Sequence, residues 1–193
     1  MYKVNEIFYS LQGEGYWTGT PMVFVRLSGC NLQCPWCDTA HQSGTMMSAD
    51  EIVAAVNRAN TGGTTRVCIT GGEPLLQLDK ALVNALNRAG YLIHVETNGT
   101  RRLPAFVTWV TLSPKGSGNV IIDMDDVMEV KLVYEGGDPD LSRWESESTL
   151  FLQPCDTGDA ARNRELTAQA AEYVKRHPKW RLSLQTHKLI DIK

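Results

Sequence analysis

The sequence has no segment of the kind that crosses or enters a membrane. None of its 193 residues belongs to an apolar run of the roughly 18 residues that a transmembrane helix needs. Residues 1–6 also lack the charged and apolar regions of a signal peptide. Together these absences predict a soluble protein of the cytoplasm.

Strong charge of either sign is also missing. The 19 Lys and Arg residues nearly balance the 22 Asp and Glu residues, for a formal net charge of −3, and no block of like charges is present. Because nucleic-acid-binding domains usually carry a basic patch, no nucleic-acid partner is predicted. The sequence also lacks repeats, low-complexity segments and linkers, and its length suits one hydrophobic core. We therefore expect a single domain that spans residues 1–193.

Cysteine is scarce, with five in the chain, but its positions are informative. Cys30, Cys34 and Cys37 are clustered, whereas Cys68 and Cys155 lie far from them. In a reducing compartment, clustered cysteines bind metal more often than they form disulfides, and an odd number cannot pair completely. The cluster therefore predicts a metal site.

Apolar segments with strand character alternate with segments of helical periodicity. Strands are predicted at 21–27, 66–70, 91–96, 106–112, 126–133, 149–152 and, as a last short strand, 181–184, and helices from residue 48, over 75–86 and over 159–177. Such alternation is typical of a parallel sheet covered by helices. A complete eight-unit barrel takes about 250 residues, so we expect an α/β fold with a partial, open TIM-like barrel of about six parallel strands. Ligands bind at the carboxyl ends of such strands, where polar and glycine-rich segments recur in this sequence.

The clustered cysteines form a C-x3-C-x2-C pattern, with Trp36 directly before the last of them. Thiolates in tight loops of this kind hold iron–sulfur clusters, and three thiolates on a four-iron cluster leave one iron open. Two alternatives remain. One is a zinc site with His41 as the fourth ligand. The other is a disulfide, which a reducing compartment does not favour.

The cysteine pattern resembles that of the radical S-adenosylmethionine superfamily. The resemblance implies a 4Fe–4S cluster on Cys30, Cys34 and Cys37, whose open iron binds the methionine part of S-adenosylmethionine. Reduction of the cluster would then release a 5′-deoxyadenosyl radical that takes a hydrogen atom from the substrate.

The segment Gly71-Gly72-Glu73-Pro74, which follows the second predicted strand, resembles the glycine-rich motif of the same superfamily. Read alone, Gly-Gly-x-Pro also forms ordinary turns. The resemblance implies that the backbone of Gly71 and Gly72 and the carboxylate of Glu73 hold the methionine ammonium. Glycines suit this role because they let a ligand approach the backbone closely.

Further motifs are similar to those of 7-carboxy-7-deazaguanine synthases. They are the segment 6–15, Arg26, Cys37-Asp38-Thr39, Glu96-Thr97-Asn98-Gly99, Ser113-Pro114-Lys115, Gln153-Pro154 and Gln185-Thr186-His187-Lys188. The resemblance implies that 6-carboxy-5,6,7,8-tetrahydropterin is converted to 7-carboxy-7-deazaguanine with loss of ammonia. This lyase reaction is a step towards queuosine and related 7-deazapurines. The resemblance also implies Mg²⁺ as a cofactor and a homodimer.

The same resemblance assigns roles to individual residues. Substrate contacts are expected at Leu11, Gln12, Gly13, Glu14, Arg26 and Thr97. The cofactor side is expected at Gly71, Gly72, Glu73, Gly99, Ser113, Lys115, Gln153 and Asp156. The hydroxyl of Thr39 would bind Mg²⁺, which prefers oxygen ligands. A guanidinium binds a carboxylate through two parallel hydrogen bonds, and amide and carboxylate groups match the polar edge of a pterin.

Without the resemblance, simpler interpretations stay open. Residues 6–15 could form a polar surface turn, and Arg26 could pair with a structural carboxylate. Residues 97–99 could do no more than end a strand. No role is assigned to Cys155 or His187.

Two other functions are consistent with part of the sequence. A glycyl-radical activating enzyme shares the small size and the cysteine loop but acts on a protein. A zinc-binding interaction module would need only the cysteine cluster. The leading hypothesis remains a pterin-converting radical enzyme, which would need an electron donor such as flavodoxin or ferredoxin.

Overall fold

A computed structural model describes residues 1–116, 119–144 and 149–193 of the chain. The strands are β1 (Tyr2–Leu11), β2 (Pro21–Leu27), β3 (Thr45–Met47), β4 (Arg66–Gly71), β5 (Leu92–Thr97), β6 (Trp109–Leu112), β7 (Glu129–Tyr134), β8 (Thr149–Pro154) and β9 (Trp180–Leu182). The helices are α1 (Ala49–Ala59), α2 (Lys80–Arg88), α3 (Ala160–Arg176) and α4 (Thr186–Leu189), with 3-10 turns at Pro74–Leu76, Met124–Asp126 and Ser142–Trp144. None of the helices in the described ranges is long and apolar enough to cross a membrane.

The strands form one sheet in the order β3-β1-β2-β4-β5-β6-β7-β8-β9. Every neighbouring pair from β2 to β9 is parallel, whereas β1 is antiparallel to both β2 and β3. Parallel neighbours need long crossovers, and α1, α2 and α3 lie in three of them. The prediction of an open, partial barrel of parallel strands is confirmed. The described residues contribute seven such strands, β2 and β4 to β9, where about six were expected.

Residues 6–11 differ from the interpretation of segment 6–15 as a polar turn. They belong to β1, which pairs with β2 over almost its whole length. Ile7 and Tyr9 pack against the main core, while Phe8 packs on the opposite face. Because apolar side chains lie on both faces, the alternation that marks a strand is hidden in the sequence.

Several elements begin later than predicted. Residues Pro74–Leu76 form a 3-10 turn, and α2 begins only at Lys80. The side chain of Asp79 accepts a hydrogen bond of 3.0 Å from the backbone N–H of Leu82, which caps the helix at that point. Likewise, β6 and β7 each begin three residues later than expected.

The main core lies between the sheet and the helices that cover its outer face. Helix α1 begins as predicted, because Ser48 and Glu51 form a reciprocal capping box with bonds of 3.2 and 2.7 Å. Ile52 and Val56 on this helix have no exposed surface and join the core with Val25 of β2. This layer fixes the strands so that their inner faces can carry polar groups.

On the inner face, aromatic and cationic side chains close the amino ends of the parallel strands. We term this group, which consists of Tyr16, Trp17, Arg66, His94 and Trp109, the floor cluster. The ring of Trp17 lies 5.2 Å from His94 and 5.3 Å from Trp109 between centroids, and the Arg66 guanidinium lies 4.7 Å from the Trp17 ring. Edge-to-face and cation–π contacts of this kind are favourable. Because the floor cluster closes the amino ends of the strands, a ligand site is expected at their carboxyl ends.

Candidate active site

A cavity of about 650 Å³ is present at the carboxyl ends of the parallel strands. Its volume suits a small-molecule site. The predicted site residues line it, except Glu73 and Gly99. Those that do so are Leu11, Gln12, Gly13, Glu14, Arg26, Cys30, Cys34, Cys37, Thr39, Gly71, Gly72, Thr97, Ser113, Lys115, Gln153 and Asp156. Residues assigned to cluster, cofactor and substrate therefore share one space.

The cysteine loop follows β2 and forms one wall of the cavity. Cys30 and Cys34 are partly buried, Cys37 is exposed, and all three are free thiols. The Sγ of Cys30 accepts a hydrogen bond of 3.4 Å from the backbone N–H of Leu32. Within the described part of the chain, no three His, Cys, Asp or Glu side chains converge on one ion position. Each thiol of the loop can bind a different iron of a cluster.

The glycine motif packs directly on the cysteine loop. A Cβ at Gly72 would lie 2.1 Å from the carbonyl oxygen of Gly29 and 2.8 Å from the Cβ of Cys30. The backbone N–H of Glu73 donates a hydrogen bond of 2.9 Å to the same Gly29 oxygen. Gly71 has a φ of 135°, a conformation that favours glycine. Only glycines fit here, and they leave their backbone open to a ligand in the cavity.

Glu73 lies behind the cavity wall. It is completely buried, and its carboxylate accepts hydrogen bonds from Leu75 N–H (2.9 Å), the Thr97 hydroxyl (2.7 Å) and Asn98 N–H (2.7 Å). Burial raises the pKa of Glu73, against the effect of these hydrogen bonds. The carboxylate joins the end of β4 to the end of β5. That it holds a methionine ammonium stays a prediction.

A chain of polar contacts borders the cavity, and we term it the ion-pair network; its members are Gln12, Glu14, Glu96, Lys131 and Gln185. The Nζ of Lys131 lies 2.7 Å from Glu14 Oε2 and 3.0 Å from Glu96 Oε2. The Gln12 amide donates a hydrogen bond of 3.1 Å to Glu96 Oε1. The Gln185 amide donates a hydrogen bond of 2.9 Å to Glu14 Oε1. The Lys131 side chain is 6% exposed, whereas those of Glu14 and Glu96 are 19% and 20% exposed. A buried cation therefore supports two carboxylates that ligands can reach.

Glu14 and Lys131 hold each other in the charged state. Burial alone would raise the pKa of Glu14, but the Lys131 ammonium and the Gln185 amide bring it down to about 2. Burial would also lower the pKa of Lys131, but Glu14 and Glu96 keep it above its ordinary value. On the same strand, burial raises the pKa of Glu129 to about 7. The pair of Glu14 and Lys131 is therefore charged throughout the neutral range, in which Glu129 titrates.

Arg26 reaches the cavity from β2. Its Nε donates a hydrogen bond of 2.9 Å to Glu6, and its guanidinium lies 5.9 Å from the Phe8 ring centroid. The ammonium of Lys193 contacts the other oxygen of Glu6. The structural pairing considered for Arg26 is therefore present. It uses only Nε, and the two terminal nitrogens form no hydrogen bond to any residue that the structure describes.

A lysine bridge joins two sides of the cavity rim. The Nζ of Lys188, in α4, lies 2.7 Å from both Asp38 Oδ2 and Asp156 Oδ2. Its hydrogen bond is the main cause that lowers the pKa of Asp156 to about 2. Asp38 directly follows Cys37 and accepts a long hydrogen bond of 3.4 Å from the Thr39 hydroxyl. The expected magnesium ligand thus has a carboxylate beside it.

Other residues expected on the cofactor side are held by local contacts. The Lys115 ammonium donates a hydrogen bond of 2.6 Å to the Ser113 hydroxyl and lies 5.0 Å from the Trp36 ring centroid. Lys115 therefore faces the cysteine loop across the cavity. Gln153 accepts a hydrogen bond of 2.8 Å from Ser183, which joins the end of β8 to the segment after β9.

Two of the predicted site glycines have structural roles, because each position leaves no room for a side chain. The Gly13 carbonyl accepts hydrogen bonds from the N–H (2.9 Å) and the hydroxyl (2.5 Å) of Thr186, and a Cβ at Gly13 would lie 2.0 Å from Nδ1 of His187. Gly99 has a φ of 76°, and a Cβ there would lie 2.4 Å from Leu112. Gly13 therefore permits the close approach of α4, and Gly99 shapes the turn after β5.

Comparisons with known proteins agree with this arrangement. A model of the Radical SAM superfamily matches residues 24–117. The 7-carboxy-7-deazaguanine synthase of Bacteroides thetaiotaomicron is 52% identical over 193 residues, which cover 100% of both chains. The chain belongs to the 7-carboxy-7-deazaguanine synthase family. A further member, from Caulobacter vibrioides, is 40% identical over 99% of each chain.

A crystal structure has a similar fold. That of QueE from Escherichia coli superposes with a TM-score of 0.78 at 29% identity, and the match covers 96% of this chain and 94% of the other. The chain is thus a radical S-adenosylmethionine enzyme of deazapurine biosynthesis. The hypotheses of a zinc-binding module and a glycyl-radical activating enzyme are thereby set aside.

Membership in this superfamily implies a 4Fe–4S cluster and S-adenosylmethionine. The residues present fit both groups. Cys30, Cys34 and Cys37 supply three soft thiol donors on one cavity wall, and such ligands suit iron–sulfur clusters. Beside them, the backbone of Gly71 and Gly72 borders the same space, free of side chains that would exclude a ligand.

Sequence reasoning assigned no role to Lys131, Glu96 or Lys188. Lys131 did carry a signal, because a lysine inside an apolar strand that helices cover is unusual and needs a partner. Glu96 and Lys188 belonged to family-like motifs without a stated function. No local sequence pattern could reveal the contact between Glu14 and Lys131, since 117 positions separate the two residues.

Proposed function

We propose that this enzyme converts 6-carboxy-5,6,7,8-tetrahydropterin to 7-carboxy-7-deazaguanine with loss of ammonia. Its relatives are named for this product. The observation that carries the proposal is the pairing of opposite charges in one cavity. Arg26 brings two guanidinium nitrogens that bond to none of the described residues, and Glu14 and Glu96 bring accessible carboxylates. The pterin has a carboxylate for the first and an edge of N–H donors for the second.

The chain's own residues bind and orient this substrate. The guanidinium of Arg26 can hold the substrate carboxylate in a bidentate pair. The carboxylate of Glu14 and the amide of Gln12 can accept from and donate to the pyrimidine edge. Leu11 and Thr97 would shape the space around the ring.

The cofactors bring the reactive chemistry. When bound, the cluster and S-adenosylmethionine supply a 5′-deoxyadenosyl radical that abstracts a hydrogen atom from the substrate. The protein limits water and sets the distance between the reacting groups. We propose that the residues around S-adenosylmethionine are Gly71, Gly72, Glu73, Gly99, Ser113, Lys115, Gln153 and Asp156.

Several finer features are part of the same proposal. We propose that Thr39, with Asp38 beside it, binds Mg²⁺, because both offer oxygen atoms at the cavity rim. A single domain over residues 1–193 is supported by the one continuous sheet. A homodimer, an electron donor of the flavodoxin or ferredoxin type and a cytoplasmic location stay predictions. Light scattering and reduction assays with purified donors would test the first two.

An anaerobic assay tests the reaction. The reconstituted enzyme is mixed with dithionite, S-adenosylmethionine, Mg²⁺ and 6-carboxytetrahydropterin, and products are followed by mass spectrometry. We expect 7-carboxy-7-deazaguanine, and we expect Cys34→Ala to lose both the product and the bound iron. Cys68→Ala is the matched control. It removes a cysteine outside the loop and should keep the iron content of the wild type.

The outcomes separate the parts of the proposal. If 5′-deoxyadenosine forms without the deazaguanine, the radical chemistry stands and the proposed substrate is wrong. If product forms equally well with chelator and without Mg²⁺, the magnesium site at Thr39 is wrong. Thr39→Val should likewise weaken the response to Mg²⁺ without changing the iron content.

A further inference from the structure

The ion-pair network contains a lysine, Lys131, that has no role in the reaction proposed above. Lys131 lies on β7 with 6% of its side chain exposed, and its ammonium contacts carboxylates from two other parts of the chain. Glu14 belongs to the loop between β1 and β2, and Glu96 lies on β5. One cation therefore fixes two elements relative to each other at the border of the cavity.

A buried lysine is costly unless its charge is compensated, so its position here requires an explanation. Both carboxylates keep roughly a fifth of their side-chain surface accessible, at 19% and 20%. Each also receives an amide hydrogen bond, from Gln185 and Gln12 respectively. All these contacts restrict the carboxylates to one orientation. They leave lone pairs for a ligand, because an ionised carboxylate has about four acceptor sites.

We propose that Lys131 is a positioning residue that holds Glu14 and Glu96 as a pair of hydrogen-bond acceptors for the 2-amino-pyrimidine edge of the pterin. The inference rests on the proposed function, since the pterin is the substrate proposed above. It makes Glu96 a specificity-determining residue and assigns Lys131 a role through these two carboxylates. The recognised chemistry is a guanidine-like row of N–H donors, which two fixed carboxylates match.

Lys131 also keeps two like charges compatible. Without it, Glu14 and Glu96 would both face the cavity with no cation between them, and one would take up a proton. A protonated carboxyl accepts fewer hydrogen bonds and offers a donor where the ligand also donates. The other charged groups that act on this site are Glu129 on β7, His187 on α4 and Lys115 after β6.

The test uses binding by the reconstituted enzyme at equilibrium, apart from turnover. Pterin-6-carboxylate is titrated against wild type, Lys131→Met and Lys131→Arg at pH 6.5, 7.5 and 8.5. The 2-oxo analogue, which lacks the 2-amino donors, is titrated in parallel. Iron content and circular dichroism confirm that each variant is folded and loaded.

We expect the wild type to prefer the 2-amino ligand by about tenfold or more, at a similar level across this pH range. Lys131→Met should lose most of this preference at pH 6.5 and regain part of it at pH 8.5, where both carboxylates ionise. Lys131→Arg keeps the charge and should keep the preference and its flat pH profile. A merely structural lysine would instead weaken both ligands equally at every pH.

Two further variants keep the test decisive if Lys131→Met does not fold. Glu96→Gln retains the ion pair between Lys131 and Glu14 but removes one acceptor charge, and it should also lose most of the preference. Lys188→Met removes another lysine that bridges two carboxylates of this cavity, and it should keep the preference.

Three results would overturn the inference. The preference could persist in both Lys131→Met and Glu96→Gln, or it could fall to the same extent at every pH in Lys131→Met. Either result contradicts the role of Lys131 while the proposed function stands. If the wild type neither binds pterin-6-carboxylate nor converts the tetrahydropterin, the proposed function fails and the inference fails with it.

Discussion

The two ends of the parallel sheet are built from the same strands but serve opposite purposes. On β5, His94 lies in the floor cluster, and Glu96 on the same face lies in the ion-pair network. Residues two apart share a face of a strand, so the face alone does not decide their roles. At the amino end, burial and the nearby Arg66 lower the pKa of His94 to about 4 and keep it neutral. At the carboxyl end, an ammonium keeps Glu14 ionised.

This difference shows how the fold separates packing from chemistry. The floor cluster stabilises the barrel through ring contacts, and its variants should change the free energy of unfolding. The cavity end carries glycines, thiols and charges with exposed surface, and its variants should change activity. Parallel barrels commonly show this division between their two ends.

The largest effect is expected at the cavity end, for Gly72→Ala. The added Cβ would lie 2.1 Å from the Gly29 carbonyl oxygen and 2.8 Å from the Cβ of Cys30, so the cysteine loop must move. We expect iron content to fall and product formation to drop by about 100-fold or more, as for an ångström-scale misplacement of reacting groups. Gly62→Ala is the control, because the nearest atoms to its Cβ belong to the outer end of the Tyr9 side chain. Normal iron content and activity in Gly72→Ala would contradict the tight packing of Gly72 against the cysteine loop.

The next largest effect is expected in the floor cluster, for Trp17→Ala. Trp17 contacts His94, Trp109 and Arg66, and its removal leaves a gap between these rings. We expect the free energy of unfolding to fall by about 3 kcal/mol, measured by urea denaturation. At low temperature, where the variant stays folded, kcat should remain close to that of the wild type. A large loss of kcat without loss of stability would break the division between the two ends.

A smaller effect concerns the pH dependence of stability through His94. Its folded-state pKa of about 4 lies below the ordinary value of 6.5, so the unfolded chain binds the proton first as the pH falls. The stability that neutral His94 contributes is present above pH 6.5 and is lost as the pH falls towards 4. Relative to His94→Gln, the wild type should lose about 1.4 kcal/mol between pH 7.5 and 5.5. Parallel stability curves for the two proteins would contradict this assignment.

A second pH-dependent effect, opposite in sign to that of His94, is expected from Glu129→Gln. Burial raises the pKa of Glu129 from 4.5 to about 7, although Lys131 offsets part of this effect. The folded state keeps the proton to higher pH than the unfolded state, so stability falls as the pH rises from 4.5 to 7. Glu129→Gln should be more stable than the wild type at pH 8, and the difference should vanish near pH 4.5. Urea denaturation at both pH values checks the sign.

Much of the fold could be predicted because its signals are local. The strand before the cysteine loop and the helix capped by Ser48 and Glu51 follow from short-range patterns. Strand β1 could not be predicted in the same way. Its apolar residues pack on both faces, and its half-buried pattern arises only when β2 and β3 flank it. The start of α2 depended on one cap at Asp79.

By itself, the sequence determined the chemistry of the cysteine loop and the family to which the chain belongs. Three thiols at short spacing and a glycine motif act within their own segments, so their neighbours along the chain suffice to reveal them. Only the tertiary structure decided that Glu73 lies behind the cavity wall and that Lys131 supports Glu14 and Glu96. These ion pairs join residues 117 and 35 positions apart, and their strength depends on burial that the whole sheet creates.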